Sequence, residues 1–163
     1  MQYLVSGKEM KLLDQNTSSK FHVPELVLME QAAMTFVRRL FFLKKEYHKE
    51  ISNVLILCGS GNNGADGLAI ARLFMQEGLT SCVCLCGEAA GHKTTESYQT
   101  QKAICQSYQI RMEEQIPEED FDLVIDALFG IGLSRNIEGE LAEVIRHANE
   151  MRGWKVAVDI SSG

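Results

Sequence analysis

Short apolar runs alternate along this chain with longer segments in which apolar residues recur at helical spacing. The runs at 54–58, 81–86, 122–126 and 155–160 predict strands, and 110–112 predicts a shorter one. The segments at 66–78, 94–108 and 138–151 predict the helices between them. Strands separated by helices of about a dozen residues favour right-handed βαβ units, so we predict an α/β fold with a mainly parallel sheet and helices on both faces.

Two further helices are predicted before the first strand. The first spans residues 7–18 and has Met10, Leu12 and Leu13 as its apolar residues. The second begins after Pro24, a residue well suited to a first helical turn. Its apolar positions at 26, 29, 33, 36, 37 and 40 lie on one face, so this helix is expected to face the core.

A glycine-rich turn joins the first of these strands to the helix that follows it. Residues 58–67 read CGSGNNGADG. Glycines let a phosphate approach the backbone closely, and the free N–H groups of a helix's first turn attract it. We therefore expect a phosphate-bearing ligand at residues 62–66, and we expect a bulky residue at Gly64 to weaken nucleotide binding while leaving the fold intact.

Three polar side chains distinguish this turn from a plain dinucleotide-binding turn, which has small residues in their place. They are Asn62, Asn63 and Asp66. Asn63 or Asp66 could instead cap the helix, which is a common role for residues of these types. Three polar side chains within five positions exceed what one cap needs, so the pattern favours contact with a ligand.

Two aspartates, Asp126 and Asp159, close apolar strands. The loops that follow them leave the sheet at the same edge as the glycine-rich turn, and ligands of open parallel sheets bind outside the carboxyl ends of the strands. Each aspartate alone could cap a following helix. Both together suit a hard cation or proton transfer.

Composition narrows the range of functions. The 163 residues suffice for one domain, and 22 acidic against 16 basic residues give a net charge of -6. This balance argues against a broad surface for nucleic acid or acidic membranes. No apolar run of about 18 residues and no secretory signal are found, so we expect a cytoplasmic protein that acts on a small molecule.

Five cysteines without a Cys-x-x-Cys pair are typical of reduced thiols inside cells. Cys82, Cys84 and Cys86 alternate, so on a strand they would share one face. A thiolate metal site is one interpretation. Burial in the core is the stronger one, because neighbours on one strand seldom supply the tetrahedral geometry that zinc prefers.

Four ordered motifs resemble those of the YjeF N-terminal domain family, the NAD(P)H-hydrate epimerases. They are residues 28–32 (LMEQA), 58–67, 122–135 and 158–163 (VDISSG). The resemblance implies a Rossmann-like three-layer α/β/α sandwich and an isomerase that interconverts the R and S forms of hydrated NADH and NADPH. It also implies two partners: an ADP- or ATP-dependent NAD(P)H-hydrate dehydratase, as a further domain or a separate protein, and a second copy in a homodimer.

The resemblance also implies a set of site residues. Asp159 would be the catalytic residue and would touch the substrate. The other substrate-binding residues would be Asn62, Asn63, Gly64, Ala65, Asp66, Gly130, Ile131, Gly132, Leu133, Ser134, Arg135 and Asn136. A potassium ion would be held by Asn63, Asp126 and Ser162, which are all oxygen donors.

Some positions depart from the family pattern. Ala65 replaces a usual glycine, and its methyl group would crowd a phosphate if the backbone there had a positive φ. Ile131 replaces a usual threonine, and Asn136 and Ser161 replace usual prolines. The family's domain continues beyond the position matched by Gly163, so we expect this chain to be a domain truncated at its C-terminal end.

Two other classes of function remain open. One is a Rossmann NAD(P)-dependent oxidoreductase in which Glu88, after the second strand, takes the ribose hydroxyls. The other is a nucleotide-binding domain without activity. A serine hydrolase is not indicated, because the chain has no Gly-x-Ser-x-Gly pattern and no histidine in a loop that the sequence places at the pocket.

Overall fold

The computed structural model describes residues 5–133 and 136–163. Within them, five strands form one sheet in the order β3-β2-β1-β4-β5, and every neighbouring pair is parallel. The strands are β1 (Asn53–Cys58), β2 (Thr80–Cys84), β3 (Arg111–Glu113), β4 (Leu123–Ala127) and β5 (Trp154–Ala157). This arrangement confirms the predicted α/β fold with a parallel sheet.

The described residues also form six helices. They are α1 (Gly7–Phe21), α2 (Glu25–Glu46), α3 (Asn62–Gln76), α4 (Cys86–Ala89), α5 (Glu96–Ser107) and α6 (Glu140–Glu150). None of these helices is both long and apolar enough to cross a lipid bilayer.

The central strand β1 is buried on both faces, as its continuous apolar run predicts. Val54 and Ile56 belong to a core shared with α2, α3 and α5, whereas Leu55 and Leu57 belong to a second core shared with α6. Helices therefore pack on both faces of the sheet, which confirms the three-layer arrangement.

Strand order reverses between β1 and β4. The chain leaves β1 through α3 towards β2, and it leaves β4 through α6 towards β5. Because the helices of these two crossovers lie on opposite faces, the loops after β1 and β4 separate and leave a crevice between them. Of the predicted ligand-binding residues, Asn62, Asn63 and Asp66 lie at the start of α3, and residues 130–133 lie in the loop after β4, so both groups border this crevice.

Three boundaries differ from the predicted ones in ways that affect the site. Helix α3 begins at Asn62 instead of residue 66, so both asparagines belong to its first turn. Strand β2 ends at Cys84, and Cys86 begins the short helix α4. Strand β5 ends at Ala157, so Asp159 lies in the bend that follows the strand.

Candidate active site

The N-terminus of α3 has no side-chain cap. Its N-cap is Gly61, and among residues 5–133 and 136–163 no side chain accepts a hydrogen bond from the first turn. Ala65 donates the first helical bond, to the carbonyl oxygen of Gly61 at 3.1 Å, so the N–H groups of residues 62–64 precede the helical ladder. The capping role considered for Asn63 and Asp66 is therefore wrong. An uncapped helix N-terminus of this kind is suited to bind an anion.

Two glycines of the turn allow close backbone contacts. A Cβ atom at Gly59 would lie 2.0 Å from the carbonyl oxygen of Leu128, and one at Gly64 would lie 1.8 Å from that of Gly59. Gly64 is also buried. The expectation that a bulky residue at Gly64 leaves the fold intact is therefore wrong, because its Cβ would overlap the backbone of the turn itself.

The loops after β1, β4 and β5 meet as predicted. The side-chain amide of Asn63 donates a 2.7 Å hydrogen bond to the carbonyl oxygen of Phe129, which joins α3 to the loop after β4. The backbone N–H of Ile131 donates to Oδ2 of Asp159 at 2.9 Å, and a Cβ atom at Gly130 would lie 2.8 Å from the same oxygen. Asp159 is thus held against the loop after β4 by a backbone donor and a glycine.

A cleft of about 900 Å³ opens between these loops and the helices α1 and α2. Its polar side chains include Asn62, Asn63, Asp66 and Asp159 of the predicted site. This volume lies at the upper end of the range for small-molecule pockets. The cleft therefore has room for a ligand as large as a nucleotide.

Sequence reasoning missed three polar residues of this cleft. Lys11 and Asp14 line it from α1, and His92 lines it beside the glycine-rich turn. His92 corrects the expectation that no histidine reaches the pocket. No residue of α1 is buried, and the spacing of Lys11 and Asp14 is the same as that of an ordinary solvated helix face, so the sequence held no signal for either.

Asp66 has the most perturbed carboxyl group of the cleft. Burial, together with the negative charges of Asp159, Glu25 and Asp14, raises the pKa of Asp66 to about 7. No hydrogen bond from a described residue stabilises its charged form. At neutral pH this carboxyl group is therefore able both to give and to take a proton.

The predicted cation ligands are divided between two cavities. Asp126 lines a smaller cavity of about 170 Å³ against α6, together with Ser161 and Gly163 on either side of Ser162, and Asn63 lines the large cleft. Ser162 donates to the two oxygens of Asp126 through its hydroxyl group at 2.8 Å and its N–H at 2.7 Å. Asp126 also accepts the N–H of Leu128 at 3.1 Å, so it organises its own loop and does not cap a helix.

The other predicted substrate-binding residues are placed as follows. Gly130, Ile131, Gly132 and Leu133 line the cleft, whereas Gly64 and Ala65 are buried behind it. Ala65 packs in the core without a positive φ, so its methyl group does not crowd the cleft. Asn136 is exposed and is not part of the cleft wall, and Ser134 and Arg135 lie outside the described residues.

Glu88, the residue on which the oxidoreductase alternative depends, forms hydrogen bonds within the protein. Lys102 donates to both oxygens of Glu88 at 2.8 and 2.7 Å, and Tyr98 donates to one of them at 3.3 Å. Glu88 is not part of the cleft wall. In addition, a Cβ atom at Gly87 would lie 2.2 Å from the backbone nitrogen of Ser60, so α4 packs directly on the glycine-rich turn. Gly87 and His92 line the cleft beside this turn, whereas the carboxylate of Glu88 is held by Lys102 and Tyr98.

The metal interpretation of the alternating cysteines is not supported either. All five cysteines are buried and free, and Cys82, Cys84 and Cys86 belong to the core against α6. Among the described residues, no three His, Cys, Asp or Glu side chains are grouped as metal ligands would be. The core interpretation of these thiols is confirmed.

Comparisons with known proteins agree with this architecture. The crystal structure of yeast ynu0 superposes with a TM-score of 0.77, at 22% identity, over 99% of this chain and 72% of that one. The NAD(P)H-hydrate epimerase of Limosilactobacillus fermentum is 39% identical over 98% of this chain and 74% of its own length. That of Lentilactobacillus buchneri is 37% identical over 100% of this chain and 74% of its own length.

A bifunctional protein is also related. The Bifunctional NAD(P)H-hydrate repair enzyme Nnr of Dictyoglomus turgidum is 31% identical over 98% of this chain, which corresponds to 31% of that protein. The family model described as YjeF-related protein N-terminus matches residues 25–163. The resemblance seen in the sequence motifs is confirmed, and the chain belongs to the family of YjeF-related protein N-termini.

Proposed function

We propose that this protein is an isomerase, an NAD(P)H-hydrate epimerase that interconverts the R and S forms of hydrated NADH and NADPH. The support from relatives is identity of 39% and 37% to proteins named for this activity, over nearly the whole chain. The observation that carries the proposal is the position of Asp159, which lines the same cleft as the uncapped N-terminus of α3. An acid-base group and an anion site in one cleft are what a phosphorylated, hydrated cofactor requires.

The diphosphate of the substrate would bind at the first turn of α3. The N–H groups there carry the positive end of the helix dipole, and Gly61 leaves open space beside them. Lys11 is the one lysine or arginine among the described residues of the cleft wall. The damaged nicotinamide ring would then extend toward Gly130 and Asp159.

The chemistry requires only proton transfer. The altered ring carbon bears a hydroxyl group next to the ring nitrogen. Inversion requires this hydroxyl to leave, or the ring to open, and then to be restored on the other face. A carboxyl group that gives and takes one proton serves both directions. Asp159 would hold that role, kept in position by the N–H of Ile131.

Substitution of Asp159 tests the proposal. Acid-base catalysis typically contributes ~10²- to 10⁴-fold, so Asp159→Asn should slow interconversion by about that factor and leave nucleotide affinity within several-fold. The two hydrate epimers are separated by chromatography, and each rate is compared with the uncatalysed rate. Asp120→Asn is the matched control, because Asp120 lies at the opposite edge of the sheet.

Three outcomes of this experiment separate the alternatives. A wild-type protein that does not accelerate interconversion contradicts the epimerase. If it also binds the nucleotide, the domain without activity is favoured; if it changes the cofactor's absorbance with some substrate, the oxidoreductase is favoured. If the wild type is active and the Asp159→Asn variant is equally active, the epimerase function stands, and the proposed role of Asp159 is contradicted.

We further propose a potassium ion held by Asp126, Ser162 and Asn63. The first two supply a hydroxyl and a carboxylate oxygen, which are donor types that a hard cation takes, and they lie together, with Oγ of Ser162 2.8 Å from Oδ1 of Asp126. Asn63 uses its amide nitrogen on Phe129, so its Oδ1, which accepts no hydrogen bond among the described residues, would be its ligand atom. The ion would neutralise the carboxylate of Asp126 and fix the loops after β4 and β5.

Partners and location are part of the same proposal. A dehydratase, as a further domain or a separate protein, would consume the S form, and the bifunctional relative's name supports this pairing. We propose a homodimer, whose test is the molar mass in solution. We also propose a cytoplasmic location, with the five free and buried thiols as support.

A further inference from the structure

The mechanism above gives no proton-transfer role to Asp66, the carboxyl group of the cleft with the most perturbed pKa. Asp66 lines the cleft from the first turn of α3, and Asp159 lines it from the loop after β5. We propose, on the basis of the proposed epimerase function, that Asp66 is a second catalytic carboxyl group, which shares a single proton with Asp159 during inversion of the substrate. The proposal deepens the role of Asp66 from substrate contact to proton transfer.

The positions of the two carboxyl groups support this role. Asp66 borders both the cleft and the groove between α1 and α2, whereas Asp159 is held by the loop after β4. They therefore approach the cleft from two different walls. Asn63, one turn before Asp66 on α3, contacts the loop that holds Asp159, which connects the two walls. An enzyme that moves a hydroxyl group between two faces of a ring needs proton-transfer groups on more than one side.

The reaction balances with two carboxyl groups and one proton between them. When the bond between the ring carbon and oxygen breaks, the oxygen leaves with the electron pair and takes the proton of Asp66, forming water. The lone pair of the ring nitrogen forms a double bond to the carbon. Water then adds to the other face, and the proton that it loses goes to ionised Asp159. The other epimer reacts in reverse, with the proton starting on Asp159.

Electrostatics around Asp66 favour one shared proton over two full charges. The charged groups that face Asp66 are Asp159 from the loop after β5, Glu25 from α2, and Asp14 and Lys11 from α1. Cys58 of β1 is also close enough for the charge of Asp66 to act on its thiol. Burial, and then the negative charges of the three acidic neighbours, raise the pKa of Asp66 to about 7. A buried carboxyl group whose pKa is raised to near neutral pH, in a cleft with a second carboxyl group, is the pattern expected of an acid-base residue.

The pH profile and the Asp66→Asn variant test this inference. Turnover needs one proton on the pair, so kcat/KM of the wild type should fall as pH rises above about 7, in both directions. Asp66→Asn should slow both directions by ~10²- to 10⁴-fold with KM within several-fold, and this alkaline fall should disappear. Asp14→Asn removes one negative charge near Asp66, so it should move the alkaline fall to lower pH.

The controls distinguish this inference from the proposed function. Asp120→Asn, the same substitution far from the cleft, should keep both the rate and the pH profile. A wild type that accelerates interconversion while Asp66→Asn matches it in rate and profile overturns the role of Asp66 alone. The pH profile of the wild type can be measured even if the variant does not fold. A wild-type rate that does not change between pH 6 and pH 9 also overturns the role of Asp66. A wild type without epimerase activity overturns the function and this role together.

Discussion

Adjacent residues of the glycine-rich turn have different structural roles. The side-chain amide of Asn62 donates a hydrogen bond to Glu25 and so connects the turn to α2. The side-chain amide of Asn63 donates to the carbonyl oxygen of Phe129 and so connects the turn to the loop after β4. Gly64 packs against the backbone of Gly59, and Ala65 fills the core. The pattern that suggests phosphate binding is therefore partly a packing pattern.

Substituting two glycines of the turn measures how much each one contributes to packing. Gly64→Ala should reduce the free energy of unfolding by ~1–3 kcal/mol, because its Cβ would lie 1.8 Å from a backbone oxygen. Gly61→Ala should change stability by less than ~0.5 kcal/mol, because a Cβ there meets nothing within 4 Å and φ is -95°. Urea unfolding of both variants measures the difference. Equal midpoints would show that the turn adjusts at no cost.

The elements of the sheet were predictable from the sequence, and the walls of the cleft only in part. The continuous apolar run of β1 and the alternation of strands and helices are local signals, and they gave the parallel sheet correctly. The convergence of Asp159 and the glycine-rich turn on one cleft followed from the rule for parallel strands, whereas Asp126 lines the smaller cavity. Where Lys11, Asp14 and His92 lie depends on how α1 and the segment after α4 pack, which no local pattern encodes.

The start of α3 was predicted four residues late for a physical reason. Asparagine and glycine are poor helix formers, so propensity favours a loop at residues 62–65. In the structure, hydrogen bonds from both asparagines and the contact of Gly64 with Gly59 hold this turn in helical form. Tertiary contacts thus override propensity where the ligand is expected to bind.

One aspartate stabilises the opposite edge of the sheet. Asp122, just before β4, accepts hydrogen bonds from the N–H groups of Ser52 and Asn53 at 2.8 and 2.9 Å and from the Ser52 hydroxyl at 2.9 Å. These bonds stabilise the charged form and hold the pKa of Asp122 below its ordinary value. They join the start of β1 to the start of β4.

Neutralising Asp122 should therefore weaken the sheet in a pH-dependent way. Asp122→Asn should cost about 1 kcal/mol at pH 7, a small figure for three hydrogen bonds because the group is exposed and solvent screens it. The folded pKa is the lower one, so the stabilisation is complete above about pH 4 and is lost as pH falls through the folded value. Urea midpoints of wild type and variant should therefore converge at acid pH. Asp120→Asn is the control, and a difference that does not change with pH contradicts this account.

The fold brings the residues of the candidate site together at one edge of the sheet, where the strands end. Strands β1, β4 and β5 are neighbours, so their three loops meet at one place, and β4 lies between the large cleft and the smaller cavity against α6. Asp126 and Asp159 are on either side of this boundary, and the carbonyl of Asp126 accepts the N–H of Val158 at 2.9 Å. A cation at Asp126 would therefore act on the same loop that positions Asp159.

Potassium should stabilise the whole chain if it binds at this junction. An ion that binds only the folded state raises stability by RT ln(1 + [L]/Kd), about 2.7 kcal/mol at a hundred times Kd. The Tm should therefore be higher in potassium chloride than in tetramethylammonium chloride of equal ionic strength, because general screening is the same in both. Asp126→Asn should abolish the difference, and Asp120→Asn should keep it.

Crystals soaked in thallium or rubidium should show an anomalous peak near Asn63, Asp126 and Ser162. Equal Tm values in both salts, with no peak in a ligand-bound crystal, would exclude the ion and leave Asp126 as a structural carboxylate held by Ser162.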